Sequence, residues 1–424
     1  MKKHSSVDLV KKTLSTGINV LGRVQKTASV AGLSALRVAQ GEKADAELVK
    51  DAFMQMGVTY IKLGQFIAST PSIFPKEYVK AFSDCLDKTP PVPFSHIQKV
   101  LKDELGERYD ELDIDPVPIA SASIAQVHKA TLKDGRVLAI KVQKPDVSAL
   151  IATDLGVLHG AFWTMEKLMP SLRVVNLAPI MAEIKSRMLA ETDFLSESRH
   201  IDEFLAFLKQ TGNSAVTAPY VHHEYSTKRV LTMDFLVGKS LVDDSLGLSD
   251  EVASRAMNTV LDTWFMSVIM TGRFHADLHA GNLMMLDDGR VAFLDFGLVG
   301  QIDPKSLQAC FDLVQALQQN DHQAMANAMI DIGMTKVAVD KDGLACDLRQ
   351  FLSTQTPDNT ASKDTLNAMM MQLGQIGKTH GIHFPKDFAL LTKQLLYFDR
   401  FMLALDPQME LFGDGRLQGI KVVN

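Results

Sequence analysis

Cysteine is scarce in this sequence: the 424 residues contain only Cys85, Cys310 and Cys346, with no C-x-x-C pair. A disulfide framework needs several paired cysteines and a zinc site needs closely spaced soft ligands, so neither is predicted. We therefore expect a reducing setting such as the cytoplasm. His275 and His279 have an H-x-x-x-H spacing, but no third soft ligand lies near them. We predict that His275 braces the neighbouring loop and binds no zinc.

Long apolar runs are absent as well. The most apolar window, Ala256–Met270, is shorter than a bilayer span and contains Asp262, so no transmembrane helix is predicted. Met1–Lys12 leads into no uninterrupted apolar core, and we expect no cleavable signal peptide.

An excess of basic charge is also missing. The net charge of −6 and the pI near 6.1 argue against a nucleic-acid-binding protein.

Basic residues are nevertheless concentrated in Met1–Gln40, which contains seven Lys/Arg residues and one acidic residue, Asp8. The apolar residues of this segment form a helical stripe: Val7, Val10, Leu14, Ile18, Leu21 and Val24. Lys12, Arg23 and Lys26 lie away from the stripe. Such a helix can lie on an anionic membrane surface. Most amphipathic helices bury their stripe against their own protein, and we favour that interpretation, with a solvated basic face.

The order of helical and β-branched segments predicts an α+β, protein-kinase-like bilobal fold, with a small β-rich N-lobe and a helical C-lobe. We expect a helical N-terminal extension over residues 1–102 and an N-lobe with inserted helices over 103–236. The C-lobe, over 237–424, would contain the catalytic residues. Everything after Pro304 is predicted to be helical, ending in a polar tail.

Several short segments are predicted as strands. Pro118–Pro145 contains β-branched runs joined by a Lys-Asp-Gly turn, which predicts a hairpin. Tyr220–Tyr225 and Arg229–Phe235 are predicted as two further strands. A second hairpin is expected from Leu283–Leu286 and Val291–Asp295, around an Asp-Asp-Gly-Arg turn.

Two stretches, FHADLHAGN at 274–282 and VAFLDFGLV at 291–299, contain the strongest chemical pattern. Asn282 lies five residues after Asp277, and Asp295 lies eighteen residues after Asp277 and is followed by Phe-Gly. This is the spacing of the protein-kinase catalytic loop and its D-F-G motif. We predict that Asp277 orients or deprotonates the acceptor. Asn282 and Asp295 are predicted to bind Mg²⁺, which prefers oxygen ligands.

An ATP-binding kinase lobe also needs a strand lysine that pairs with a helix glutamate. The run VLAIKVQKP provides Lys141 in an A-I-K context. We prefer it to Lys144, which lies at the end of the strand. The helical segment LAETDFLSESRHIDEF offers Glu191, Asp193 and Glu197 as acidic candidates. Because Glu191 and Glu197 are six residues apart, they project in different directions and have different functions.

The glycine-rich loop that covers the phosphates in ordinary kinases is missing, and the sequence there is PIASASIAQV. Alanine does not adopt positive φ angles cheaply, so we expect a stiffer loop that sits differently over a nucleotide. Two sets of residues are assigned to the ATP site: Ala120, Ser121, Ala122 and Ser123 in this stretch, and Met233, Asp234 and Phe235 at the end of RVLTMDF.

These motifs together resemble the UbiB/AarF family of atypical kinases over roughly Met54–Leu298. The matching pieces are KLGQ at Lys62–Gln65, PIASASIAQVH, AIKVQKP, ETD with the glutamate that follows it, HADLHAGN and LDFG. The sequence departs from the family pattern where Leu278 and Ala280 replace two prolines and where Ser121 interrupts the alanine run. Paired C-terminal transmembrane helices, found in some members, are not predicted.

The resemblance implies a kinase-like fold in which the K-x-G-Q helix packs on the nucleotide site and occludes the groove for a peptide. By this resemblance Lys62 and Gln65 belong to the active site. The E-x-D pair, Glu191 and Asp193, would face them, and Glu197 would be the ion-pair partner of the strand lysine. Family members are linked to ubiquinone biosynthesis, with an activity of the ATPase or small-molecule kinase type.

We therefore predict an ATP- and Mg²⁺-dependent phosphotransferase or ATPase that supports isoprenoid-quinone or lipid metabolism. Its acceptor would be a small molecule or a lipid, and its partners would be quinone-biosynthesis proteins, with no nucleic acid. We expect a cytoplasmic protein with peripheral membrane contact as an added possibility. A protein kinase is the first alternative, disfavoured by the KLGQ extension and the missing glycine loop. A nucleotide-regulated scaffold without turnover is the second, disfavoured because no predicted ligand is missing.

Overall fold

The computed structural model describes residues 22–68 except 31, 34, 35, 38, 42 and 44, then 75–82, 90–168, 184–241 except 186 and 187, 250–335, 338–353 and 372–405. The chain divides into two compact units. Unit 1 comprises Met1–Ser196 and His222–Met233, and unit 2 comprises Glu197–Val221 and Asp234–Asn424. Because two segments of the chain contribute to each unit, neither unit is a simple half of the sequence.

Unit 1 is built around a four-stranded sheet with the order β1-β2-β3-β5. Its strands are β1 (Leu112–Ser121), β2 (Ala125–Leu132), β3 (Val137–Gln143) and β5 (Val230–Asp234), the last residue of which belongs to unit 2. β2 pairs with both β1 and β3 in antiparallel register. The β2–β3 turn contains Gly135 at a φ of +90°, which glycine adopts without a Cβ clash. The hairpin predicted in this region is confirmed.

Helices precede this sheet in the sequence and also follow its strand β3. Those of unit 1 are α1 (Ala46–Met56), α2 (Val58–Ala68), α3 (Lys76–Phe82), α4 (Phe94–Leu105) and α5 (Val147–Leu168), and α6 (Phe194–Thr211) starts in unit 1 and continues in unit 2. The α4 residues Ile97 and Leu101 are fully buried in one core with Leu138 and Ile140 of β3. α1 begins at the N-cap Asp45, whose side chain accepts from the N–H of Leu48 at 3.1 Å. The sheet therefore has one face sealed by α4.

The basic N-terminal segment is described only from residue 22, and the rest of its predicted stripe lies outside the described residues. Residues 22–30 are helical. Arg23, predicted to be solvated, instead binds both carboxylate oxygens of the buried Asp154 at 2.5 Å and the carbonyl of Met56 at 3.1 Å. Val24, predicted to be packed, is 43% exposed. The predicted orientation of this part of the helix is therefore wrong, because a buried carboxylate of α5 attracts the guanidinium.

Unit 2 contains a four-stranded sheet with the order β4-β9-β8-β6 and two small two-stranded pairs, β7–β10 and β11–β12. Its strands are β4 (Val216–Thr217), β6 (Gly238–Ser240), β7 (Arg273–His275), β8 (Leu283–Leu286), β9 (Val291–Phe293), β10 (Val299–Gln301), β11 (Met334–Thr335) and β12 (Ile382–His383). Its further helices are α7 (Asp250–Thr271), α8 (Pro304–Gln318), α9 (His322–Ile332), α10 (Lys341–Ser353) and α11 (Lys386–Leu405). Within the described ranges, no helix is long and apolar enough to cross a bilayer.

The α+β class and both hairpins agree with the sequence predictions, whereas some details do not. The segment predicted as a strand at Tyr220–Tyr225 ends in a 3-10 turn at His223–Tyr225, closed by the N–H of Tyr225 and the carbonyl of His222 at 3.1 Å. β4 was not predicted, because two residues are too few to show alternation. β11 and β12 pair inside the region predicted to be wholly helical. The predicted polar tail lies outside the described residues.

Candidate active site

The candidate catalytic loop of unit 2 leaves β7 at His275 and leads into β8. A 3-10 turn at Ala280–Asn282 closes the loop, where the N–H of Asn282 donates to the carbonyl of His279 at 2.8 Å. The side-chain Nδ2 of Asn282 donates to the carbonyl of Asp277 at 2.9 Å. Asn282, the predicted metal ligand, therefore holds the backbone of Asp277, the residue predicted to orient the acceptor. The side chain of Asp277 is half-exposed.

His275 braces this loop, in agreement with the sequence interpretation. Its ring is buried, and its two nitrogens lie 3.0 Å from the carbonyl of Leu294 and 3.3 Å from the N–H of Asp277. A carbonyl can only accept and an N–H can only donate, so Nε2 carries the proton and Nδ1 accepts. Burial lowers the pKa of His275, which favours this neutral form. The indole N–H of Trp264 also donates to the carbonyl of His275, at 2.9 Å.

Asp295 lies two residues after β9 and is exposed. Its φ of +52° is a left-handed conformation, uncommon for a non-glycine residue and found preferentially at functional sites. Its Oδ1 accepts from the N–H of Gly297 at 3.3 Å. The N–H of Leu294 donates to the carbonyl of Asn282 at 2.9 Å. The β8–β9 hairpin thus brings the two predicted metal ligands to the same end.

The donor atoms at this end of the hairpin fit Mg²⁺. Both predicted ligands, Asp295 and Asn282, offer hard oxygen atoms, and the nitrogen end of the Asn282 amide is occupied by its bond to Asp277. No group of three or more His, Cys, Asp and Glu side chains in the described part of the chain is placed to hold a metal ion. Mg²⁺ does not need such a group, because it usually takes one or two protein oxygens with phosphates and water.

Two residues of α11 contact the loop, and the sequence predictions missed both. Lys393 donates to Oδ1 of Asp277 at 3.0 Å. Gln394 is buried, accepts from the N–H of Leu278 at 2.9 Å and donates to its carbonyl at 2.8 Å. Desolvation raises the pKa of Asp277, but attraction to Lys393 and the hydrogen bond from its Nζ outweigh this effect, so the pKa lies below its usual value. A carboxylate kept ionised in this way is suited to orienting an acceptor hydroxyl.

The part of α6 that belongs to unit 2 packs on the D-F-G segment. Glu197, the predicted ion-pair partner of the strand lysine, is 4% exposed at the start of this part. His200 lies 3.0 Å from the carbonyl of Phe296, and the ring of Phe204 packs against the rings of Phe293 and Phe296 at 5.1 and 5.0 Å. His200, Phe204 and Phe296 also help to line a cavity of about 360 Å³ in this unit. The position of the D-F-G phenylalanine is therefore set by α6.

In unit 1, the K-x-G-Q helix α2 contacts the E-x-D loop as the family resemblance implies. Lys62 forms an ion pair with Glu191 at 2.7 Å, and their side chains are 15% and 29% exposed. Gln65, one turn further along α2, is partly buried. Asp193 has a buried carboxylate oxygen, Oδ1, without a hydrogen-bond partner. A buried acceptor of this kind is costly unless a ligand or ion pairs with it, so it fits a binding site.

Gln143, in the motif AIKVQKP, holds the E-x-D loop in place. Its buried Nε2 donates to the carbonyl of Thr192 at 2.5 Å and to that of Lys228 at 3.2 Å. Thr192 lies between Glu191 and Asp193, so β3 fixes the backbone that carries both acidic side chains. The sequence motif contained Gln143, but only its lysines were considered as functional residues.

Lys141 and Lys144 have different surroundings in unit 1. Lys141, in β3, lies opposite Val127 of β2, and its Nζ lies 5.3 Å from the ring centroid of Phe194. Lys144 is 6% exposed, and its Nζ donates to the carbonyl of Pro90 at 3.1 Å. Lys144 therefore holds the proline-rich segment at residues 90–93 to the sheet, and Lys141 stays the predicted phosphate ligand.

The alanine-rich stretch forms the end of β1 and its turn into β2. Ala120 and Ser121 are the last two residues of β1, and the N–H of Ala122 donates to the carbonyl of Ala125 at 2.9 Å. Ser123 is fully buried. The hydroxyl of Ser121, a predicted ATP ligand, is buried without a hydrogen-bond partner, and it is the second unsatisfied polar atom among the predicted site residues of this unit.

The predicted residues thus fall into two sets, one in each unit. Unit 1 contains Lys62, Gln65, Ala120, Ser121, Ala122, Ser123, Lys141, Glu191, Asp193 and Met233. Unit 2 contains Glu197, Asp234, Phe235, Asp277, Asn282 and Asp295. Met233 and Asp234 are the last residues of β5, and Phe235 follows them. Within unit 1 the structure joins Lys62 with Glu191, and within unit 2 it joins Asp277 with Asn282.

Comparisons with known proteins agree with these motifs. The sequence model of the ABC1 atypical kinase-like domain matches residues 84–329. An uncharacterized chloroplastic aarF domain-containing protein kinase of Arabidopsis thaliana is 40% identical over 396 residues, which are 87% of this chain and 73% of that protein. The chloroplastic protein ACTIVITY OF BC1 COMPLEX KINASE 7 of the same plant is 26% identical, over 95% of this chain and 58% of its own length.

A solved structure is similar in fold as well. It is that of Rv3197 from Mycobacterium tuberculosis in complex with erythromycin, and it matches with a TM-score of 0.53 at 20% sequence identity. The match covers 96% of this chain and 98% of that one. The kinase-like α+β fold predicted from the sequence is therefore confirmed.

Proposed function

The chain belongs to the UbiB/AarF family of ABC1 atypical kinase-like proteins, and from this premise we propose that it binds ATP and Mg²⁺ and transfers or hydrolyses the terminal phosphoryl group. The observation that carries the proposal is the arrangement in unit 2. There Asn282 holds the backbone of Asp277 at 2.9 Å, and the β8–β9 hairpin presents Asp295 beside Asn282. This is the set of groups that phosphoryl transfer requires.

Each residue has a proposed task in this chemistry. Bound Mg²⁺ would neutralise charge on the β- and γ-phosphates, and Asn282 and Asp295 would hold it. Asp277 orients the acceptor hydroxyl or water, and its low pKa keeps it ionised. Lys141 provides a positive charge for the phosphates. In unit 1, Ser121 of the predicted ATP site and Asp193 of the E-x-D pair offer buried oxygen atoms without partners, which supports a polar ligand in this unit.

The acceptor we propose is a small molecule or a lipid of isoprenoid-quinone metabolism, in a cytoplasmic protein whose partners are quinone-biosynthesis enzymes. This part rests on the family resemblance. A protein kinase would use the same chemistry on a protein hydroxyl. A nucleotide-regulated scaffold would bind ATP without turnover. The half-exposed carboxylate of Asp277, held by Lys393 while Asn282 holds its backbone, supports an active phosphoryl-transfer site over a scaffold, since a scaffold has no need of a positioned acceptor ligand.

Mg²⁺-dependent release of ADP from ATP by the purified full-length chain tests the proposal. We expect Asp295→Asn to lower turnover by roughly 10²–10³-fold, the usual cost of removing one electrostatic partner of the transition state. Asp287→Asn is the matched control, because Asp287 is an exposed aspartate in the turn of the same hairpin and should leave turnover unchanged. Turnover of Asp295→Asn within twofold of the wild type would contradict the assignment.

The acceptor is tested in the same assay. Phenols that resemble quinone head groups, lipid vesicles and a mixture of hydroxyl-bearing peptides are added separately, and phosphorylated product is measured beside ADP. A phosphorylated phenol or lipid supports the proposed acceptor, and a phosphopeptide supports the protein-kinase alternative. ADP release without a phosphorylated acceptor identifies an ATPase. Tight ATP binding without any turnover would favour the scaffold.

A further inference from the structure

The C-terminal helix α11 reaches the candidate catalytic loop with two consecutive residues. Lys393 contacts the carboxylate of Asp277, and Gln394 contacts both the N–H and the carbonyl of Leu278. Asp277 and Lys393 are 116 positions apart in the sequence. The matched ABC1 domain ends at residue 329, so α11 lies outside the region in which the family motifs occur.

We propose that Lys393 and Gln394 form a clamp that positions the catalytic loop, with Lys393 holding the Asp277 carboxylate in the orientation needed to receive the acceptor. The proposal rests on the proposed function and adds a positioning element to it. Each member of the clamp fixes a different part of the loop: Gln394 fixes the backbone and Lys393 the side chain. In phosphoryl transfer almost all catalysis is positioning and charge stabilisation, so this orientation has a direct effect on rate.

The helix that carries the clamp is itself anchored to unit 2. Phe398, one turn after Gln394, is fully buried, and its ring lies 5.0 Å from that of Trp264, the residue that also donates to His275. At the other end of α11, the N–H of Gln301 donates to Asp387 at 3.3 Å. A helix fixed at both ends can hold a side chain in one orientation, which a flexible tail could not.

The loop itself also explains why an external clamp is useful here. The loop from Asp277 to Asn282 contains no proline, so no ring fixes its backbone φ angles. Gln394 binds the backbone of Leu278 in this loop through its N–H and its carbonyl. The clamp therefore constrains a backbone that the loop sequence does not constrain by itself.

Steady-state kinetics of ATP turnover in the full-length chain tests the clamp. We expect Lys393→Met to lower kcat by roughly 10²-fold, the size of effect that a misplacement of about 1 Å can cause, with the KM for ATP within twofold of the wild type. Lys393→Arg keeps the charge and should recover at least a tenth of the wild-type kcat. Lys305→Met is the matched control, since Lys305 is a 77% exposed lysine of the same unit and should leave kcat unchanged.

A double-mutant comparison separates positioning from general damage. If Lys393 acts through the carboxylate, Lys393→Met should cost nothing further in an Asp277→Asn background. A loss of equal size in both backgrounds would overturn the proposal, and so would a single Lys393→Met variant with kcat within twofold of the wild type. If Asp277→Asn has no measurable turnover, the kcat values of Lys393→Met and Lys393→Arg are compared instead. An equal loss of kcat in these two variants would overturn the clamp.

The same experiment distinguishes the clamp from the function on which it rests. A wild-type chain without Mg²⁺-dependent turnover would overturn the proposed function. A wild-type chain that is active and sensitive to Asp295→Asn, but insensitive to Lys393→Met, would overturn the clamp alone. Circular dichroism and thermal unfolding of each variant show whether the fold is intact, and Lys393, which is one-third exposed, is a position at which we expect it to be.

Discussion

Each unit contains an ion pair between a lysine and a carboxylate of the candidate site, and the two pairs differ in burial. In unit 1, Lys62 and Glu191 are 2.7 Å apart with side chains 15% and 29% exposed. In unit 2, Lys393 and Asp277 are 3.0 Å apart with side chains 33% and 48% exposed. The first pair is shielded from water and stabilises the packing of α2, whereas the second leaves its carboxylate accessible to an acceptor.

The pairs also differ in how they are supported. The Lys62–Glu191 pair lies beside Gln143, which belongs to a sequence motif and bonds the loop next to Glu191. The Lys393–Asp277 pair depends on α11, which carries no motif. The site in unit 1 is thus held mainly by residues of the motifs themselves, and the site in unit 2 is held in part by a helix from outside them.

The largest expected effect concerns the two motif lysines of unit 1. We predict that Lys141→Ala lowers ATP turnover by roughly 10²–10³-fold while the fold remains intact, because Lys141 supplies charge to the phosphates. Lys144→Ala should instead lower the melting temperature and leave ATP turnover within about threefold of the wild type, because Lys144 is buried and holds the segment at Pro90 to the sheet.

Turnover assays and thermal unfolding of both variants decide this prediction. A Lys144→Ala enzyme that is stable but inactive would reverse the assignment of the two lysines. Equal loss of turnover in both variants would show that the distinction between a site lysine and a linker lysine is mistaken.

The second effect is a difference in stability between the two ion pairs. Glu191→Gln leaves the mostly buried Lys62 without its charge partner, so its cost should lie between the ~1 kcal/mol of a surface pair and the ~3–5 kcal/mol of a buried one. Asp277→Asn should cost at most about 1 kcal/mol, because its pair is more exposed. Urea unfolding of both variants measures the difference.

Lys62→Arg is the control that separates charge from shape. It keeps the positive charge, so stability should be close to that of the wild type, but a planar guanidinium replaces a compact ammonium and should alter ATP turnover or autophosphorylation. A Lys62→Arg enzyme indistinguishable from the wild type in both activities would show that Lys62 is not part of the active site. If Asp277→Asn is less stable than Glu191→Gln, the Lys393–Asp277 pair contributes more to stability than the Lys62–Glu191 pair, contrary to this prediction.

Much of this organisation could be predicted from the sequence, and the exceptions share a physical cause. The hairpins and the contact between Asp277 and Asn282 depend on residues close together in sequence, so local patterns reveal them. Lys393 and Gln394 could not be predicted, because their partners are 116 residues away and a lysine followed by a glutamine on a helix is an ordinary surface pattern. Arg23 was predicted in the wrong orientation because its partner, Asp154, is 131 residues away in sequence.

The smallest expected effect compares two buried histidines, one in each unit. Burial lowers the pKa of both His128 and His275, and each ring lies within hydrogen-bond distance of a backbone carbonyl, at 2.8 and 3.0 Å. The unfolded chain has histidines with a pKa of about 6.5. Below that pH the unfolded state binds protons that the folded state does not, so stability is complete above about pH 6.5 and is lost as the pH falls towards the folded pKa values.

We therefore predict that the free energy of unfolding, measured with urea at pH 7.5 and pH 5.5, is lower at pH 5.5. The loss is at most about 1.4 kcal/mol per pH unit for each histidine, the value for one proton. His128→Gln and His275→Gln cannot bind this proton, so each should show a smaller difference between the two pH values. Since His275 also braces the catalytic loop, His275→Gln alone should lower ATP turnover at pH 7.5. Equal pH dependence in the wild type and both variants would show that other groups control stability in this range.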